Sequence, residues 1–277
     1  MIAPDDKKAW VERSIITKFR KTIWAPFLEA LRVYELVAEG DKIAVCISGG
    51  KDSMLLAKLF QELKRHSKTN FSVEYICMDP GYNEANYKKI EQNAALLGVP
   101  IKFFKSDVFE AANIVAGEKP CYMCARMRRG CLYAEAARLG CNKIALGHHR
   151  SDVIETTLMG MFYGGQIQGM MPRIKSANFA GMELIRPMYC ISEDDIEHWR
   201  DYNGLEFIAC ACSFTARLED DGQGRSVRRE MKELVRELKK RNPDVEKSIF
   251  KSIHNVQLDT LPGYKSEGVW HSLLEKF

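Results

Sequence analysis

Apolar positions along the chain fall into two alternating rhythms. Short runs at Ile43 to Ile47, Val73 to Met78, Ile101 to Phe104, Lys143 to Leu146 and Leu184 to Met188 are nearly continuous in Ile, Val, Leu, Met, Cys and aromatic residues, which suits strands buried on both faces of a parallel sheet. Between them the apolar residues return every three or four positions. This spacing predicts helices from Met54 (Met54, Leu55, Leu59, Phe60, Leu63), over Tyr87 to Leu97, over Val108 to Ala116, and over Cys124 to Leu139. Gly98 and Gly140 stand where helix C-caps belong, and Ser192 with Asp195 reads as a capping box for a helix over 193–202. Phe207 to Ala209 is expected as a last strand.

Strands alternating with helices predict parallel pairing with helices on both faces. Helical periodicity also precedes this core, over residues 10–38, with Pro26 expected to break it in two. After it, Gly222-Gln223-Gly224 reads as a flexible joint before a charged helix over 225–241, which Pro243 ends, and Val245 to Val256 can form another. The expected organisation is an N-terminal helical segment (1–40), an α/β domain (41–222) and a C-terminal helical extension (223–277), without internal repeats.

The first strand runs into Ser48-Gly49-Gly50-Lys51-Asp52-Ser53 and then directly into a helix. A strand-to-helix turn of this kind is built for anions. Glycines let backbone N–H groups close on a phosphate, the helix N-terminus adds roughly half a positive charge, and Ser48, Lys51 and Ser53 supply donors. Neither the Walker spacing nor the dinucleotide-fold spacing is present. Ligands of parallel sheets gather beyond the carboxyl ends of strands, where Ser48, Asp79 and Gly147-His148-His149 all fall. His148 and His149 suit phosphate contact or acid–base work. Asp79 suits either contact with a nucleoside or a turn, and Arg186 is a weaker candidate for phosphate or RNA contact.

A length of 277 residues supports one main α/β domain with appendages. No apolar stretch approaches the roughly 20 residues of a membrane helix, and Asp5, Asp6 and Glu12 interrupt any signal-peptide pattern. A cytoplasmic protein is expected. A net charge of +4 permits an RNA partner without requiring one. Arg13, Lys18, Arg20 and Lys21 read as a solvated face, whereas the 225–241 helix carries eight Lys/Arg against three Glu.

Nine cysteines without an export signal indicate a reducing compartment and thiol chemistry other than disulfides. Cys46, Cys77, Cys131, Cys141 and Cys190 sit singly among apolar neighbours and read as small core residues. Cys121 and Cys124 form a C-x-x-C immediately before a helix, and Cys210 with Cys212 forms a C-x-C after a predicted strand. Three thiolates with one open position suit a [4Fe-4S] cluster whose free iron holds sulfide; a zinc knuckle is the structural alternative. Arg126, Arg128 and Arg129 lie beside the C-x-x-C, placed to steer an RNA backbone.

SGGKDS resembles the PP-loop of the ATP pyrophosphatases, an α/β, parallel-sheet, adenine nucleotide alpha hydrolase-like fold. The resemblance implies that Ser48, Gly49, Gly50, Lys51 and Ser53 hold ATP phosphates, and that Asp52 and Asp152 orient Mg2+. PCYMCARMRRG (120–130), KIALGHHRSD (143–152), MFYGG (161–165) and IRP (185–187) narrow the likeness to the tRNA 2-thiocytidine synthetase family. That family adenylates the C2 oxygen of cytidine 32 of tRNA and replaces it with sulfur through a [4Fe-4S] cluster. The implied ligands are Cys121, Cys124 and Cys212, with Cys210 as the alternative third, and the implied catalytic set adds Lys51 and Asp52. Sulfide or a cysteine desulfurase is the implied sulfur source, and a homodimer the implied assembly.

The chain departs from the family pattern in three places. It has Cys210-Ala211-Cys212-Ser213-Phe214 in place of a second C-x-x-C followed by Gly-Ser, Ser151 in place of the first of two acidic residues, and an unusual stretch after Asp79. Three alternatives therefore stand beside the main reading: sulfur transfer through zinc or a persulfide on Cys121 or Cys212, another RNA position or small-molecule acceptor, and a non-catalytic nucleotide-sensing or cluster-carrying module.

Overall fold

Ile43 to Ile47 are all buried, and they form the third strand of a six-stranded sheet. The computed structural model describes residues 4–106, 120–208 and 227–274. The strands are β1 (Lys42–Ile47), β2 (Ser72–Asp79), β3 (Ile101–Lys105), β4 (Lys143–Ala145), β5 (Arg173–Lys175) and β6 (Glu183–Ile185), in the order β3-β2-β1-β4-β6-β5. Every pair is parallel except β5 with β6. The chain order reverses between β1 and β4, so the switch point of the sheet lies at the carboxyl ends of those two strands.

Two faces of β1 follow from side-chain alternation. Ala44 and Cys46 join Ile76, Ile144 and Leu184 against Tyr133 and Ala136 of helix α5 (Pro120–Arg138). Helix α3 (Lys51–His66) also packs on β1. α3 buries Met54 to Phe60 without interruption, including Lys58. A buried ammonium is tolerated only with acceptors, and Lys58 Nζ has three: Glu12 Oε1 at 2.6 Å, Gln61 Oε1 at 2.5 Å and Leu97 O at 2.7 Å. It thereby ties α1 (Pro4–Ile16) and the end of α4 (Glu84–Leu97) to α3. At the amino ends of β1 and β4, buried Asp41 pairs with Lys143 at 2.7 Å and accepts from Asn142 at 2.7 Å.

The expected caps are present. Gly98 and Gly140 both have positive φ after their helices, and Ser192 Oγ accepts from Asp195 N at the start of α7 (Glu193–Tyr202). Other expectations shift. Pro26 does not break a helix but sits in the first turn of α2 (Ala25–Val33), where a missing N–H costs nothing. The break lies before it, at a π-helical turn over Arg20–Trp24. The strand expected over 184–188 ends at Ile185, because Pro187 cannot donate and Tyr189 N turns back to Arg186 O. Phe207 and Ile208 are not a strand: Phe207 stacks on Trp199, and Asn93 takes the Glu206 carbonyl. Ala209, the helix expected over 108–116 and the joint at 222–224 lie outside the described residues.

The chain divides into two compact units, Met1–Asp152 with Met171–Arg225, and Val153–Met170 with Ser226–Phe277. Helix α6 (Arg150–Gly164) runs from one into the other. In the second unit, Ile154 and Leu158 bury against Met231 and Val235 of α8 (Val227–Arg241), followed by α9 (Val245–Ser252). A hairpin, β7 (Gly263–Ser266) and β8 (Val269–Ser272), closes the unit. Glu267 and Gly268 both have positive φ at its two-residue turn, the primed geometry that twists with the strands. Among the described residues no helix is long and apolar enough to cross a membrane.

Candidate phosphate-binding site

Beyond Ile47 the chain leaves the sheet into the Ser48–Ser53 turn, and two glycines shape it. Gly49 has φ +84°, and a Cβ there would stand 2.6 Å from Ile90 Cγ1 and 2.8 Å from Ile208 Cδ1. Gly50 caps α3 with extended backbone and no side-chain hydrogen bond to the helix start. Among the described residues no side chain caps the first N–H groups of α3, the condition under which a helix start accepts phosphate. Ser53 Oγ staples the turn from inside, accepting from Ser48 N at 3.1 Å and donating to Gly50 O at 3.0 Å. Ser48 Oγ lies 3.2 Å from it.

The loop after β4 closes on this turn from the neighbouring strand. A Cβ at Gly147 would stand 3.2 Å from both Asp52 C and Ser53 N, so backbone meets backbone. His149 is buried beside Asp52, with Nε2 at 3.8 Å from Asp52 Oδ1 and Nδ1 at 3.5 Å from Asp152 Oδ2. Its backbone N–H donates to Asp152 Oδ2 at 3.0 Å. His148 is half-buried next to it.

Lys51 Nζ lies between two carboxylates, 3.3 Å from Asp52 Oδ1 and 3.1 Å from Glu193 Oε1. Burial alone pushes the Lys51 ammonium down, but the two carboxylates outweigh it and leave its pKa raised. Asp52 Oδ1 is buried and, apart from its ion pair with Lys51, has no hydrogen-bond partner among the described residues, which makes it a candidate hard oxygen donor for a divalent cation. Glu193 is a participant that sequence reasoning missed. The Ser192 capping box located the start of its helix, but nothing in the pattern links it to a lysine in the first βα turn. Ser151 Oγ, at the position where the family pattern has an acid, accepts from Glu193 N at 3.2 Å.

Asp79, at the end of β2, has the turn role: its Oδ1 accepts from Gly81 N and Tyr82 N, both at 2.9 Å. Arg186, just past β6, is 4 % exposed, donates to Met171 O, and has an Nε without a hydrogen-bond partner among the described residues. Burial, with Arg129 nearby, pushes its pKa down to about 10. Cys46, Cys77 and Cys141 are buried free thiols and Cys131 and Cys190 are half-buried ones, as expected of core residues. Burial pushes Cys77 up to about 12, which makes it unreactive.

Cys121 and Cys124 fall in the first turn of α5; their side chains, and all of Cys210 and Cys212, lie outside the described residues. The backbone still orients that helix. Its far end adjoins the start of β1, where Lys42 Nζ donates to Leu139 O and Asn142 N to Lys42 O. A helix of 19 residues spans about 28 Å. Its first turn is therefore at the carboxyl end of the sheet, the end that carries the Ser48–Ser53 turn. Among the described residues no group of three or more His, Cys, Asp or Glu is arranged to hold a metal.

The model of the PP-loop domain family matches residues 20–216. The tRNA-cytidine(32) 2-sulfurtransferase of Geotalea uraniireducens is 34% identical over 90% of this chain and 95% of its own length. That of Paraburkholderia xenovorans is 31% identical over 94% of this chain and 75% of its own. The chain belongs to the PP-loop family of tRNA-cytidine(32) 2-sulfurtransferases. The Ser48–Ser53 turn lies within the matched span, at the carboxyl end of β1 and at the switch point of the sheet. Its fold is similar to that of the U34-tRNA thiolase NcsA from Methanococcus maripaludis, solved with its [4Fe-4S] cluster, at a TM-score of 0.64 and 20% identity over 95% of this chain and 82% of that one.

Proposed function

We propose that this protein is an ATP-dependent tRNA-cytidine 2-sulfurtransferase acting on position 32. The observation that carries the reading is the PP-loop at the switch point, with Lys51 and Asp52 at its mouth, in a chain whose relatives carry that name. The C2 oxygen of the cytidine attacks the α-phosphorus of ATP and pyrophosphate leaves. Sulfur then adds at C2 and AMP leaves, so the carbonyl oxygen departs on AMP.

The chain's contribution to the first step is positioning and charge. Ser48, Gly49, Gly50 and the first N–H groups of α3 cradle the phosphates, Lys51 neutralises the leaving pyrophosphate, and Ser53 holds the turn shut from inside. Asp52 Oδ1, without a hydrogen bond among the described residues, would be the donor for Mg2+, and Asp152 fixes His149 behind it, where the imidazole adjoins the same carboxylate. Asp79 ends β2 as a turn residue at the same edge of the sheet, and His148 lies at the mouth of the loop after β4.

For the second step, a [4Fe-4S] cluster held by Cys121, Cys124 and Cys212, or Cys210 in its place, would deliver sulfur at an open iron. Arg126, Arg128 and Arg129 on α5 would steer the tRNA backbone towards that turn. The sulfur enters as sulfide, or as persulfide sulfur from a cysteine desulfurase together with a two-electron thiol reductant that brings it to the sulfide level. A cytoplasmic location and a homodimer accompany this reading.

Nucleoside mass spectrometry of tRNA from a deletion strain tests the function, with loss of 2-thiocytidine expected and an unchanged profile overturning it. Anaerobic metal and sulfide analysis tests the cofactor. A brown protein with broad absorbance near roughly 400 nm, lost in Cys121→Ser, is expected of an iron–sulfur centre. Stoichiometric zinc in a colourless protein would overturn the cluster.

A further inference from the structure

Where the end of α7 meets the second half of α1, Trp10, Arg13, Ser14, Thr17 and Tyr202 line a surface cavity of about 410 Å3. Its floor is fixed by polar contacts: buried Ser14 donates from Oγ to Val11 O at 2.7 Å and accepts from Asn203 Nδ2 at 3.2 Å. Its wall is aromatic. The Trp10 and Tyr202 rings are inclined by only 17°, with centroids 5.9 Å apart, and buried Phe19 meets Tyr202 edge-on. Trp10 is 45 % exposed and Tyr202 43 %, so two large π surfaces face water in a chain that buries Trp24 and Trp199.

The same surface is electropositive. Arg13 is exposed, Lys18 places its ammonium 5.3 Å from the centre of the Tyr202 ring, and Arg20 and Lys21 follow in the π-helical turn. Among the described residues no carboxylate pairs with any of these four, and the acids on either side are taken, Glu12 by Lys58 and Arg65, Asp201 by Arg200. By sequence alone this basic group reads as a solvated face. The fold sets beside it what solvated decoration lacks, a concave aromatic wall. α1 also lies ahead of residue 20, where the match to the PP-loop domain begins. Tyr202 closes the ten-residue helix whose first residue, Glu193, touches Lys51, which sets the cavity about 14 Å along that helix from the phosphate turn. A polynucleotide strand advances about 3.4 Å per stacked residue, so the gap is at least about four nucleotides.

We infer that this cavity is an RNA-docking subsite, in which an unpaired base of the substrate tRNA stacks on Trp10 and Tyr202 while Arg13 and Lys18 hold the flanking phosphates. A π face accepts any base and the cations beside it accept the backbone, so the contact anchors RNA without reading its sequence. An apolar protein segment fits less well, because it would cover Arg13 and Lys18 without counter-charge. The inference rests on tRNA as the substrate class, but not on the ATP chemistry or the sulfur centre.

The test is filter binding of an unmodified tRNA transcript to the purified full-length protein over a salt series, with the ATP affinity of each variant measured beside it. Trp10→Ala should weaken tRNA binding by about tenfold, the scale of one lost base stack, and Trp10→Phe should restore most of it. Arg13→Gln should reduce the salt slope by about 0.8, and it decides the matter if Trp10→Ala fails to fold. Bound tRNA should also quench the tryptophan fluorescence of wild type more than that of Trp10→Phe, a signature that a merely structural Trp10 would not give. Variants that keep the wild-type tRNA affinity and salt slope overturn the proposal, assign the surface to a protein partner and leave the proposed function intact. Loss of ATP and tRNA affinity together in Trp10→Ala, with Arg13→Gln unchanged, overturns it as well. A folded wild type that binds no tRNA overturns both.

Discussion

At Lys51 and Gly49 the chemistry of single side chains decides what the PP-loop can do. Lys51 offers charge-assisted hydrogen bonds, each worth about 1.5–3 kcal/mol. Lys51→Met is therefore expected to weaken MgATP binding by about ten- to a hundredfold without lowering thermal stability, measured by calorimetric titration beside a melting curve. Gly49→Ala meets two obstacles, a positive φ and a Cβ lodged against Ile90 and Ile208. It should cost about 2–4 kcal/mol in urea unfolding. The glycines and the lysine were legible in the chain because SGGKDS is a local signal. Glu193 was not, since its contact with Lys51 spans 142 positions.

Helices and strands carry the next layer of consequences. Lys58 is legible in sequence only as a charged residue on an apolar helix face, yet in the fold it is fully buried and joins three helices. Lys58→Ala leaves Glu12 with Arg65 alone and should destabilise by about 3 kcal/mol, since removing one member of a buried pair strands the other.

Asp41, at the foot of β1, gives a pH signature. Burial pushes its carboxyl up, but Lys143, Asn142 and the Ala38 N–H outweigh this and hold its pKa below the usual value. A depressed carboxylate stabilises fully above the unfolded pKa of about 3.9, and that contribution disappears as pH falls through the lower folded value. Asp41→Asn should therefore flatten the acid limb of a stability-against-pH curve between about pH 4 and 2, while lowering stability at neutrality. Edge elements were the ones sequence reading missed. β5 has three residues and β7 four, too short for a period to register, and β5 exists because Arg173 grips Glu183 across the pair at 2.8 and 2.9 Å.

On the scale of the whole molecule, the basic charge foreseen for α8 is largely spent at home. Arg228, Arg229, Lys239 and Lys240 are each paired with a glutamate. Arg129 on α5 is exposed; under the proposed function, Arg129→Ala should weaken tRNA binding across tRNA species and reduce the salt slope by about one, read from filter binding over a salt series. By itself the sequence determined the parallel α/β core, the PP-loop and the family, because each depends on contiguous residues whose spacing encodes strand, turn and helix. Tertiary structure alone decided the strand order that places the 48–53 turn beside the loop after β4, the inward staple of Ser53, and the Ser151–Glu193–Lys51 alignment. Those contacts join segments far apart in the chain, and only the packing of helices on the sheet sets which distant carboxylate meets which ammonium.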